Sequence, residues 1–155
     1  VRLTQFTDYA LRVLLFMGRQ RGRTCTMGEV AAYYGISQEH LRKVVHKMAK
    51  LGYLDSTRGK GGGIVLGQDP STIHIGDVIL ALEEDMNIVD CDAMNCVLFP
   101  ECSLKDALNR GSKAFIAALN KVTLADLLGN LDMKRQFKII DIARQHKTRN
   151  KEADT

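Results

Sequence analysis

Three cysteines fall within one short polar stretch, Asp90-Cys91-Asp92-Ala93-Met94-Asn95-Cys96-Val97-Leu98-Phe99-Pro100-Glu101-Cys102. Gaps of four and then five residues allow a loop to fold back and aim three sulfurs at one point. Thiolates gathered in that way bind a soft metal ion or an iron–sulfur cluster. Structural zinc is the competing assignment, because three cysteines and one histidine or carboxylate complete a tetrahedron. Zinc ligands usually come in closer pairs, about two to four residues apart. The wider intervals suit a bulkier cluster, but spacing alone leaves both open. In either case a carboxylate or histidine, of this chain or of a partner subunit, must fill the fourth position. Reading the three as buried small hydrophobes fits poorly, since Asp90, Asp92, Asn95 and Glu101 surround them.

Other reactive residues are scattered. Cys25 stands far from the triplet and reads as a partly buried free thiol, and His74 has no evident role. The acidic residues near the cysteine stretch read as solvation. Nothing resembles a catalytic triad or a paired general acid and base, so an enzyme is not expected.

A chain of 155 residues holds one domain, or a small domain with an oligomerisation arm. No apolar run approaches a membrane span, and the opening residues lack the order of a signal peptide. The expectation is a cytoplasmic protein with no membrane partner, whose cysteines are thiols or ligands rather than disulfides. The net charge of +4 is unevenly spread. Basic residues concentrate from Arg42 to Lys60 and again after Lys134, whereas acidic residues gather between Asp77 and Glu101. That asymmetry suggests nucleic acid at one end and a different task at the other.

The elements that must position these groups begin with a helix over Phe6 to Gly18. Phe6, Ala10, Val13, Leu14 and Met17 share one face, Leu11, Leu15 and Phe16 add apolar surface elsewhere, and Thr4 or Thr7 serves as N-cap. Met27, Val30, Ala31 and Tyr34 then form a short amphipathic helix ended by Gly35. Ser37 caps a further helix with Leu41, Val44, Val45 and Met48 on its apolar face. Small Ala31 lets the two helices cross closely, and the pair reads as a helix-turn-helix. Two packed helices of any small α-domain would look similar. On the outer face of the second helix lie Ser37, Gln38, Glu39, His40, Arg42, Lys43, His46 and Lys47. Its first turns would enter a major groove, and its later basic residues would reach phosphates.

The segment that follows strengthens the nucleic-acid reading. Tyr53–Thr57 and Gly63–Leu66 read as two short strands around Arg58-Gly59-Lys60-Gly61-Gly62, a basic hairpin whose glycines permit positive φ. A nucleotide-binding P-loop is excluded, because Lys60 is followed by Gly61 rather than Ser or Thr and a strand follows rather than a helix. Helix-turn-helix plus basic hairpin is a winged helix. The fold class is therefore mainly α with a small β-hairpin wing.

Beyond Pro70, Ile75, Val78, Ile79 and Leu82 mark a helix leading into the cysteine loop. Ser103 and Asp106 read as a capping box for the next. Leu104, Leu108, Gly111, Phe115, Ala118 and Val122 follow at steps of four and three, the seam of a coiled coil that pairs with its copy in a second subunit. Thr123 and Asp126 cap a last short helix through Leu127 and Leu128. The expected organisation is a winged helix-turn-helix over 1–70, the cysteine loop with dimerisation helices over 71–130, and a basic extension over 131–155 with a disordered end.

Several stretches together resemble one known family. They are Leu3-Thr4-Gln5-Phe6-Thr7-Asp8-Tyr9-Ala10-Leu11-Arg12, the wing Arg58 to Ile64, Ile75-Gly76-Asp77-Val78, Thr123-Leu124-Ala125-Asp126-Leu127 and the cysteine triplet. They resemble the bacterial winged-helix iron–sulfur repressors, and among these the nitric-oxide-sensing members. The resemblance spans about residues 2 to 130. It implies a homodimer bound to a double-stranded DNA operator with an inverted repeat. It also implies one iron–sulfur cluster per subunit, 2Fe–2S or 4Fe–4S, held by Cys91, Cys96 and Cys102. Nitric oxide would be the effector that lifts repression of nitrosative-stress defence genes. Cluster-assembly regulators of the same family carry a histidine three residues after the third cysteine, where this chain has Lys105. That departure argues against their type and leaves the fourth ligand open. Asp8, donated across the dimer from the first helix, is the candidate; a simple helix N-terminal charge is the other reading of the same residue. Alternatives to the whole scheme are a redox-responsive regulator of cluster assembly, a zinc-stabilised constitutive DNA binder, and an electron-transfer subunit that merely carries a cluster.

Overall fold

The computed structural model describes residues 2–91, 94–98 and 101–129. The basic extension expected over 131–155 lies outside the described residues. Six helices and one hairpin make up the described part: α1 (Gln5–Arg19), α2 (Met27–Tyr34), α3 (Gln38–Lys50), β1 (Leu54–Thr57), β2 (Gly63–Leu66), α4 (Ile75–Leu82), α5 (Ser103–Leu119) and α6 (Leu124–Gly129).

α1 is the central helix, packed against α3, β2, α4 and α6. Its Ala10, Val13, Leu14, Phe16 and Met17 are buried, as the apolar spacing requires of a helix covered on several sides. Each fully buried side chain of Leu14's size contributes about 1.5–3 kcal/mol relative to exposure. Thr4 is the N-cap and accepts the Thr7 N–H at 3.3 Å. Thr7, the other candidate cap, lies inside the helix and is fully buried.

The helix-turn-helix forms as expected. α2 opens on a capping box that had not been anticipated: Thr26 Oγ1 accepts the Glu29 N–H at 3.1 Å, and Glu29 accepts the Thr26 N–H at 2.7 Å. Gly35 closes it in the left-handed region, and Ile36 is pinned by its N–H to the Ala31 carbonyl at 3.1 Å. Ser37 caps α3 through the His40 N–H. β1 and β2 pair antiparallel from Leu54 with Leu66 to Thr57 with Gly63. The first strand begins at Leu54 rather than Tyr53, because the Tyr53 N–H is taken by the Met48 carbonyl at the end of α3. At the hairpin tip Gly59 and Gly61 have φ of 96° and 80°, a region L side chains avoid.

Three differences from expectation concern the second half. A 3-10 turn at Pro70–Thr72, capped by Asp69, precedes α4; its three residues are too few to show a period. α5 begins one residue earlier than a Ser103 cap requires. Its first helical bond runs from the Asp106 N–H to the Cys102 carbonyl, so Cys102 is the N-cap and the Ser103–Asp106 box does not form. α5 ends at Leu119, so Val122 lies beyond the helix and its carbonyl accepts the Ile75 N–H. The Thr123–Asp126 box does form.

A second small core joins α4 to α5 through Ile75, Ile79 and Ile116. The helices meet closely because position 76 has no side chain. A Cβ there would lie 2.7 Å from the Ile116 carbonyl oxygen and would overlap Asn120 Oδ1. Asn120 in turn donates to Asp77 at 3.0 Å, and its carbonyl meets His74 Nδ1 at 2.8 Å. His74 thus has a structural place, in a bridge to Thr123 where α4 and α6 begin.

Candidate nucleic-acid interface and cysteine loop

α3 presents a strictly two-sided surface. Leu41, Val44, Val45 and Met48 are buried against α1 and α2, whereas Ser37, Gln38, Glu39, His40, Arg42, Lys43, His46 and Lys47 are all exposed. The Ser37 hydroxyl already accepts an N–H of its own helix. Arg58 and Lys60 are exposed on the hairpin. The hairpin is held to the body by Cys25, whose N–H donates to the Ile64 carbonyl at 2.8 Å and whose carbonyl accepts the Ile64 N–H at 2.7 Å. Cys25 thus forms an isolated β-bridge to the wing through its backbone, while its side chain is a free thiol. Its side chain is buried, which pushes the thiol pKa up.

Tyr9 of α1, which sequence periodicity did not single out, supports the recognition helix, and Tyr34 of α2 ties α2 to α1. The rings of Tyr9 and His40 lie 6.4 Å apart, and Gln5 Nε2 donates to the Tyr9 hydroxyl at 2.8 Å. Tyr34 donates to the Arg12 carbonyl at 2.9 Å, and burial pushes its pKa up to about 12. The Arg12 guanidinium lies 5.9 Å from the Tyr34 ring centre and donates to Asp8 at 3.0 Å. Asp8 is half exposed on the first turns of α1, in this ion pair.

Cys91, Cys96 and Cys102 are free thiols, all half-buried, in the segment between α4 and α5. The Cys96 N–H bonds to the Cys91 carbonyl at 3.3 Å, and Asn95 takes the left-handed conformation, so the chain turns back on itself there. Cys102, as N-cap of α5, stands at the helix end whose free N–H groups favour negative charge. Among the described residues no three His, Cys, Asp or Glu side chains are gathered closely enough to hold a metal ion. The structure thus brings the three cysteines into one loop without converging the sulfurs. Asp8 is not joined to them within the subunit. The donor set fits an iron–sulfur cluster chemically: three unbonded, partly accessible thiols on a segment with few core contacts. Met94, Val97 and Leu98 of the same segment are exposed apolar residues, Val97 at 96%.

Comparison with known proteins decides the lineage. Residues 3–130 match the family model Rrf2, described as an iron-dependent transcriptional regulator. The chain belongs to the Rrf2 family.

Its relatives agree with that placement. The chain is 46% identical over 134 residues to the HTH-type transcriptional regulator NsrR of Bacillus subtilis (strain 168), covering 84% of this chain and 92% of that one. It is 40% identical to the protein of the same name from Bacillus licheniformis, over 88% and 99% of the two chains. Among solved structures it resembles CymR (YrzC), the global cysteine regulator of B. subtilis, with a TM-score of 0.70 and 27% identity over 85% of this chain and 99% of that one. As an Rrf2 protein the chain is a DNA-binding transcriptional regulator and not an enzyme. No described helix is long and apolar enough to cross a membrane.

Proposed function

We propose that this Rrf2 protein is a repressor that senses nitric oxide through an iron–sulfur cluster and acts in the cytoplasm on nitrosative-stress defence genes. The observation that carries the reading is three free, half-buried thiols in one loop. That loop joins α4 and α5, which lie outside the helix-turn-helix. Cys91, Cys96 and Cys102 would hold the cluster, with the partner subunit's Asp8 as fourth ligand. When bound, such a cluster supplies iron that reacts with nitric oxide. Asp8 must exchange its Arg12 bond for that role, or share the carboxylate between the two. Lys105, on the first turn of α5, cannot ligate while charged, which disfavours the cluster-assembly reading.

The protein's own residues do the rest. Residues 1–70 read DNA: the N-terminal turns of α3 enter the major groove with Gln38, Glu39 and His40, while Arg42, Lys43, His46, Lys47, Arg58 and Lys60 reach edges and phosphates. Residues 71–130 hold the loop and pair the subunits through the exposed side of α5, where Leu104, Gly111 and Ala118 face water. A homodimer presents two recognition helices to half-sites of an inverted repeat about 34 Å apart, and the ordered loop sets that distance. Loosening of the loop changes the spacing and releases the operator.

The test is an anaerobic titration of purified protein with nitric oxide, following visible absorption and DNA binding together. The probe is a duplex selected from random sequence for tight binding. A brown protein that bleaches as it releases DNA is expected. A colourless protein with stoichiometric zinc and unmoved DNA binding would replace the sensor with a structural site. The wing makes a separate forecast. Removing both cations, Arg58→Ala with Lys60→Ala, should weaken binding on all sequences alike and lower the slope of log K against log salt by about 0.9 per lost phosphate contact. Salt titration of fluorescence anisotropy measures it; a change in sequence preference with an unaltered slope would assign the wing to base reading instead.

A further inference from the structure

One carboxylate of the acidic segment is not solvation. Glu83 is the C-cap of α4, where the chain departs toward Cys91. It accepts the Thr4 N–H at 2.8 Å and the Thr4 hydroxyl at 3.0 Å, across 79 residues of sequence. Thr4 is the N-cap of α1, so Glu83 satisfies donors at a helix start that would otherwise face water. Partial burial pushes the Glu83 carboxyl up, but bonds from Thr7 and Thr4 outweigh this and hold it below its ordinary pKa. Three residues further on, the Met86 carbonyl accepts from Ser112 of α5 at 2.8 Å. The segment that opens the cysteine loop is thus tied to α1 on one side and to α5 on the other.

α1 continues this line to the DNA-reading surface. It packs on α3, and Tyr9, on its first turns, meets His40 at the N-terminal end of α3. A shift of the α1 start is therefore a shift of the residues beneath the groove-entering end of the recognition helix.

We propose that Glu83 is a positioning residue that couples the cysteine loop to the recognition helix by clamping the start of α1 to the end of α4. The inference rests on the reading that a cluster in the loop controls DNA binding. An ordered loop keeps Glu83 engaged with Thr4 and α1 seated under α3. A loosened loop withdraws Glu83, and the first turn of α1 frays.

The experiment compares loaded and cluster-free protein, wild type against Glu83→Ala and Glu83→Gln, on the selected duplex. Iron content, visible absorption and amide exchange of the Thr4–Thr7 segment are recorded beside the affinities. Wild type should bind more tightly when loaded by a factor on the order of 100, and Glu83→Ala should bring that ratio below about threefold while retaining the cluster. Exchange at the start of α1 should be fast in wild type only without cluster, and fast in Glu83→Ala in both states. Glu83→Gln, whose amide oxygen still accepts both bonds, should keep the ratio. If Glu83→Ala fails to fold, Glu83→Asp withdraws the carboxylate from Thr4 with its charge kept, and its ratio decides in the same way. A wild-type ratio near one sinks the sensor reading itself. A large wild-type ratio that survives Glu83→Ala overturns the coupling role alone, as does a variant that simply cannot hold the cluster.

Discussion

Cys96→Ala is expected to give a folded, colourless dimer whose affinity for operator DNA is several hundredfold weaker than that of the loaded parent. The first half of this expectation follows from where Cys96 sits. It is half-buried, lies outside both hydrophobic cores, and its N–H bond to the Cys91 carbonyl is a backbone bond that alanine keeps. Substitutions of that kind change stability by about 0.5 kcal/mol or less. The second half follows from ligand number. Two thiolates and a borrowed carboxylate are too few to retain a cluster that needs four anchors. Without it the loop no longer fixes the spacing of the two recognition helices. A misfit of about 3–4 kcal/mol in half-site spacing lowers occupancy several hundredfold, since each 1.4 kcal/mol is a factor of ten. Iron analysis, sedimentation and anisotropy on the same preparation give the three readouts. Tight operator binding by the cluster-free variant would break the proposed link between loop and DNA.

Gly111→Glu should have an effect of similar size for a different reason. Gly111 lies in the middle of α5, exposed, and a Cβ there would meet nothing within 4 Å. Taken as an isolated subunit, the chain should gain stability, by about 0.5–1 kcal/mol, since glycine is a poor helix former. In a homodimer formed on this side of α5 the same substitution places two like charges in an isologous contact. Dissociation to folded monomers is therefore expected, with operator affinity lower by a factor on the order of 100 or more as the second half-site is no longer tethered. Gly111→Ala should remain dimeric or associate more weakly without dissociating. Sedimentation equilibrium with thermal melts separates the effects. A dimeric Gly111→Glu protein would move the subunit contact to another face, of which the apolar loop residues Met94, Val97 and Leu98 are the exposed alternative.

The elements legible from sequence were those whose signals are local. Gly35, Ser37 and the Thr123–Asp126 pair mark helix ends because a cap acts over three residues, and the structure places each in its expected role. The wing was legible because a glycine-rich tip between alternating short strands has few other conformations. Ser103 misleads by one residue: cysteine at 102 carries no cap signature, whereas the neighbouring serine does. The seam of α5 was read as one surface, but Phe115, Ile116 and Leu119 pack on the α4 side while Leu104, Gly111 and Ala118 stay exposed. Helical spacing reveals which residues share a stripe, not which of two neighbours covers it.

Sequence alone determined the kind of chemistry available. Three cysteines in one polar loop, an outward row of cations on one helix and a basic hairpin are properties of residue type and short-range order, and they survive any packing. Tertiary structure decided how these parts are joined. Glu83 looked like one more solvated acid, and only the approach of α4's end to α1's start made it a cap for Thr4. Cys25 is the free, buried thiol it looked like, and only the tertiary structure bridges its backbone to Ile64 of the wing. Both are contacts between residues far apart in the chain. No period or local cap encodes such contacts, because the free energy that selects them comes from packing several elements around the apolar side of α1 at once.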